Sequence, residues 1–171
     1  MKFKPPTPDE VLAQYGRAML EAQRFEMTLL ELAIHFLPEA PTPTPPDEIE
    51  RTLDYLFRRS AGQLAKAIKW PQELEEDVAQ AISTRNELAH TYLAEHERYL
   101  RRPLAGRPRA RMLRNLRDIA ERFRDLDGRV EAESERRAAE AGWEDDPEAR
   151  QWAADFFEQA MKEEDRAMEE D

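Results

Sequence analysis

Cysteine is missing altogether, histidine occurs three times, and glycine only five times in 171 residues. Without cysteine the chain can form neither disulfides nor thiolate zinc sites, and three histidines argue against a conventional metal centre. No glycine-rich phosphate loop appears, and no serine or cysteine nucleophile stands beside a base. No cofactor or metal is therefore expected. Long apolar runs are missing too: nothing approaches the roughly 20 residues of a membrane span. The opening MKFKPPTPDE has no apolar core of a secretory signal. A cytoplasmic protein without membrane contact is the expectation. The alternating pattern of strands is also absent. With 37% charged residues and a mean hydropathy of −0.86, an α-rich domain is predicted.

The formal net charge of −11 is unevenly placed. Residues 131–171 hold 16 acids and 5 bases, which accounts for all of it. Residues 1–130 are neutral, with 21 of each sign. Inside that part, residues 98–124 carry ten arginines against only Asp118 and Glu121. The pattern is a neutral body with a basic segment and an acidic extension.

Helical periodicity supplies the rest. Val11, Tyr15, Ala18, Ala22, Phe25, Leu29, Leu32 and Phe36 recur at 4-3-4-3 spacing, predicting one long helix capped near Asp9 and stopped by Pro38. The proline-rich PEAPTPTPP is a connector. A second helical stretch opens at Asp47, with Ile49, Leu53, Leu56 and Phe57 on one side. It breaks near Ser60–Gly62 and resumes through Leu64, Ala67 and Ile68. Pro71 suits the first position of the next helix. That helix carries Val78, Ile82, Arg85, Ala89, Tyr92, His96 and Tyr99. A further one carries Met112, Leu116, Ile119, Phe123, Leu126 and Val130, with Gly128 a candidate stop. GWEDDPEAR reads as a linker into a last helix with Trp152, Phe156 and Ala160 on one side. The expected fold is all-α, a four- to five-helix bundle over residues 9–130 with an acidic helical extension over 131–171.

One stripe breaks the rule that apolar side chains face the core. Arg85 and His96 hold positions that other helices give to Leu, Phe or Ile, and an unpaired buried charge costs several kcal/mol. Asn86 and His90, four apart, can touch. A set of Arg, Asn, His and Tyr on one arc suggests a wet cleft or a subunit interface. Its available chemistry is a guanidinium that holds a phosphate and an imidazole that moves a proton near neutral pH. Together those suffice for metal-independent RNA cleavage.

RNELAHTY, with Arg85, Asn86, His90 and Tyr92 in an Arg-x4-His-x-Tyr arrangement, resembles the motif of the HEPN superfamily, in the form seen in HepT toxins. The resemblance implies a HEPN-like helical bundle, a homodimer with a composite site at its interface, and a metal-independent endoribonuclease of a toxin–antitoxin or defence system. Arg85 and His90 would be catalytic, with Asn86 in support. Tyr92 would be the acceptor of AMP from a nucleotidyltransferase antitoxin. The competing expectation is a non-catalytic dimerisation or binding module of the same type.

The residues alone leave plainer alternatives open. Arg85 and His90 also suit a structural hydrogen-bonded pair, and Tyr92 a packed aromatic with a satisfied hydroxyl. His96 suits a partly buried or interface histidine, or a second general acid. Glu26, one step past Phe25, is placed to approach Arg85 across the bundle and orient it. The arginine run, including Arg98, Arg101, Arg102 and Arg109, is either a solvated face or a path for an RNA backbone.

Overall fold

The computed structural model describes residues 5–36, 60–102 and 105–140. Among them every regular element is helical, and the architecture is an all-α bundle. The elements are α1 (Pro8–Phe36), α2 (Ala61–Ala67), α3 (Gln72–Glu87), a π-helical turn at Leu88–Tyr92, α4 (Leu93–Arg101) and α5 (Gly106–Glu140). α3, the π turn and α4 form one continuous rod. The second helical stretch from Asp47 and the last helix with Trp152 and Phe156 lie outside the described residues.

Local signals set the ends, and three differ from expectation. α1 is capped by Thr7, not Asp9: the Thr7 hydroxyl accepts from the Glu10 backbone N–H (3.2 Å), and the Glu10 carboxylate accepts from the Thr7 N–H (2.7 Å). Threonine followed three residues on by glutamate is a capping box, and it outcompetes an aspartate already inside the first turn. Ser60 and Gln63 build the same device at α2. Pro71 stands one residue before α3 rather than inside it, its carbonyl accepting from Leu74 and Glu75 N–H. Gly128 does not stop α5, which runs on to Glu140 and so crosses position 130. Glycine weakens a helix interior by about 1 kcal/mol, too little to break one whose flanking residues are packed.

α1 and α5 form the spine. They run parallel, since Pro6 meets Arg109 at one end while Phe25–Phe123 (5.8 Å between centroids) and Thr28–Asp127 (2.7 Å) pair further on. The α3–α4 rod lies antiparallel to α5, joined by Tyr92–Asn115 at one end and Arg129–Asp77 at the other. The predicted α5 stripe is buried throughout, from Met112 to Val130. Fully burying each such side chain contributes about 1.5–3 kcal/mol.

Three buried polar residues tie the spine together. Glu21 bonds Arg124 across α1 and α5 at 2.6 Å, and this bond holds its carboxyl below the ordinary value of 4.5. Glu133 takes both Arg136 and Arg137, with the Arg136 bond the main cause of its lowered pKa, and Arg137 reaches on to the Lys69 carbonyl. Arg109, only 6% exposed, donates to the carbonyls of Pro6, Arg102 and Tyr99. It closes the Pro5–Pro6 segment onto α5. A Cβ at Gly106 would lie 2.5 Å from Pro5 Cβ, so only glycine fits under that strap.

Candidate functional site

α3 buries Leu74, Val78 and Ala81, and the π turn buries Leu88 and Tyr92. The stripe is therefore 74-78-81-85-88-92, and Leu88 rather than Ala89 faces the core. Both readings of the spacing share Val78, Arg85 and Tyr92; the helix buries Ala81 and Leu88, and leaves Ile82 only partly buried against the core. Arg85 lies on this stripe, but its side chain is 30% exposed.

Its guanidinium is held on two sides. Nε is buried and lies 2.7 Å from Glu26 Oε1 on α1, whose side chain is 20% exposed. The contact is an ion pair by distance, but its angle does not make a hydrogen bond, so the Nε–H is left unsatisfied. Nη1 donates to Asn86 Oδ1 at 3.3 Å. Glu26 and Asn86 thus steer the guanidinium while part of the side chain stays open to solvent. His90 is exposed, five residues on, and no hydrogen bond links it to Arg85 within the chain.

The π turn sits across the motif itself. Wider turns of this kind are inserted into α-helices mostly as single turns, often at functional sites. This one is clamped from three helices. Tyr15 of α1 donates its hydroxyl to the Leu88 carbonyl at 2.8 Å, filling one of the two lone pairs that carbonyl offers. Tyr92 donates to Asn115 Oδ1 of α5 at 3.1 Å. His96 of α4 places Nδ1 2.8 Å from the Tyr92 carbonyl; a carbonyl only accepts, so Nδ1 carries the proton. The rings stack in order, Tyr15 on Tyr92 (6.1 Å), Tyr92 on His96 (4.5 Å), and His96 against Tyr99 (6.3 Å).

Tyr92 is therefore a buried anchor, 2% exposed, its phenol pushed up to about 12 first by burial and then by the Glu87 charge. Its hydroxyl is turned to Asn115 rather than to solvent in this arrangement. His96 packs beside it, half-buried. Of the arginines weighed for RNA, Arg109 is spent inside the fold. Arg101 pairs with Glu97, and Arg98 lies over the Tyr99 ring at 4.6 Å. Arg102 is exposed.

Sequence reasoning missed the clamp: Tyr15 and Asn115 carry no motif, and a π turn has no periodic signature in five residues. It also missed a groove of about 490 Å³ between α3 and α5, walled by Asp77, Thr84, Glu87, Asn115, Arg122 and Arg129 over Ile119 and Phe123. Asn115 serves both this wall and Tyr92.

No described helix is long and apolar enough to cross a membrane. No cluster of three or more metal-ligating side chains occurs among the described residues. Comparison with known proteins found no matching family model, no similar curated protein and no similar solved structure.

Proposed function

We propose that the chain is a HEPN-type ribonuclease that cleaves RNA without a metal, with Arg85 and His90 as the chemical pair and a homodimer as the working unit. The observation that carries this reading is the placement of Arg85. A charged side chain on a core stripe, steered by Glu26 and Asn86 but left partly open, is arranged for an anionic ligand.

The chemistry follows from the two groups. A neutral His90 takes the proton of a ribose 2′-OH, and the 2′ oxygen attacks the adjacent phosphorus. The 5′ oxygen leaves and takes a proton, from the histidine of the second copy in a composite site. The products are a 2′,3′-cyclic phosphate and a 5′-hydroxyl. Arg85 binds the non-bridging oxygens and stabilises the charge of the pentavalent state.

Dimerisation is supported by α1, where Leu12, Leu20 and Met27 stay 42–49% exposed on the face next to Glu26. A second copy seated there would bring its own Arg85 and His90 near the first. A toxin or defence role inside the cell belongs to the same reading. AMP transfer to Tyr92 by a nucleotidyltransferase antitoxin belongs to it too, and requires the hydroxyl to leave Asn115.

The second reading is a non-catalytic helical module, favoured by the fact that Arg85 already has a carboxylate partner. The test is RNA cleavage in EDTA by wild type, His90→Ala and Arg85→Ala, with light scattering on each. Cleavage that survives the chelator and falls about 10²–10⁴-fold in His90→Ala, while the dimer persists, supports the nuclease. An inactive wild type, with a dimer that Arg85→Ala dissociates, supports the module instead.

A further inference from the structure

Charge on α5 is divided along its length. Arg107, Arg111, Arg114, Arg117 and Arg122 of α5, with Arg102 just before the helix, are exposed and meet no carboxylate among the described residues. At 4-3 spacing Arg107, Arg111 and Arg114 form one ridge, about 10 Å long at 1.5 Å per residue and clear of the helix's own Glu121. From Arg124 onward the arginines of α5 pair instead: Arg124 with Glu21, Arg129 with Asp77, Arg136 and Arg137 with Glu133. An acidic segment that follows α5 meets cations already neutralised nearby and unpaired ones at the far end.

Such a segment exists. Residues 141–171 hold 12 acids and 3 bases, while residues 1–140 hold 25 and 23. The body is close to neutral, so it has little long-range field to draw in a free polyanion. A segment of net −9 on the same chain needs no such field, because its tether keeps it at an effective concentration of order millimolar. The reach is sufficient. Arg114 lies about 39 Å back along α5 from Glu140, and 31 residues span up to about 100 Å extended.

We propose that the acidic segment 141–171 docks in cis on the arginine ridge Arg107, Arg111 and Arg114. Guanidinium groups take carboxylates two oxygens at a time, and several such pairs held together outlast any single exposed one. This holds whether or not Arg85 and His90 cleave RNA.

The absence of cysteine makes a direct test clean. The full chain carries a nitroxide on Met161→Cys or, separately, Met168→Cys, and the backbone amides of 107–114 are followed by NMR. Docking predicts broadening of those amides at low salt. It predicts loss of the broadening near 1 M salt, where the Debye length is about 3 Å. The triple variant R107Q/R111Q/R114Q, with its fold checked by circular dichroism, abolishes the broadening as well. No broadening from either label, or broadening that survives the triple variant, overturns the proposal. So does broadening that appears between labelled and unlabelled chains in a mixture, which makes the contact one between copies. Added oligouridylate that shifts these amides while no label broadens them assigns the ridge to nucleic acid and overturns it too.

Discussion

The two halves of α5 carry arginine alike and put it to opposite uses. Both are rich in arginine, yet the first half leaves Arg107, Arg111 and Arg114 in solvent and buries Arg109 among carbonyls. The second half turns its arginines into ties: Arg124 and Arg129 reach across to α1 and α3, and Arg137 to the Lys69 carbonyl. The difference lies in where acids stand. The first half has only Asp118 and Glu121 of its own, whereas the second half holds six acids, Glu133 and Glu140 among those that pair, and packs against Glu21 and Asp77. An arginine count gives a local charge, but the neighbours decide whether that charge is a tie, a buried donor or a free surface.

The contrast is sharpest at Arg109, where the largest effect is expected. Arg109→Met should cost about 3 kcal/mol in urea unfolding, because hydrogen bonds from a charged donor contribute roughly 1.5–3 and their carbonyls lose a partner. Arg111→Met, two residues away and exposed, should stay within about 0.5 kcal/mol. Equal effects would mean that the half is uniform and that Arg109 is not a staple.

Glu133→Gln tests the second half, with an expected cost of about 1–2 kcal/mol at neutral pH, scaled down because Arg136 is half exposed. The carboxyl of Glu133 is held below its ordinary 4.5. Its contribution is therefore complete above that value and lost as pH falls through the lower folded one. The gap between variant and wild type should close on acidification below about pH 4.5, and a gap that persists there would place the effect in packing.

A smaller effect, about 1 kcal/mol, belongs to Tyr92→Phe, which removes the bond to Asn115 in the first half. The phenol is raised from 10.0 to about 12 on folding. Its stabilisation is present below the unfolded value and lost as pH rises toward the folded one. Melting temperature should fall between about pH 10 and 12 in the wild type and less steeply in the variant. Parallel curves would show that Tyr92 is already open to solvent.

Much of the fold was legible because burial follows period. Met112 to Val130 repeat at 4-3 steps with no competing register, and each is buried. In α3 two registers shared Val78, Arg85 and Tyr92, so periodicity alone could not say whether Leu88 or Ala89 faced inward. The motif residues were visible as polar interruptions of a stripe. Their relations were not. Arg85 meets Glu26 59 positions away, and Tyr15 reaches Leu88 across 73, distances over which no local pattern carries information.

The sequence by itself determined the class of the fold and the long helices, because apolar period and capping chemistry act within a few residues. Its charge blocks were also plain from composition. Only the tertiary structure decided which arginines are ties, which one is a staple and which are free, and that Tyr92 points inward to Asn115. It also decided that the RNELAHTY segment contains a π turn clamped by Tyr15, Asn115 and His96. Those outcomes depend on which helices become neighbours, and a hydrogen bond or ion pair exists only where packing brings both partners within about 3 Å.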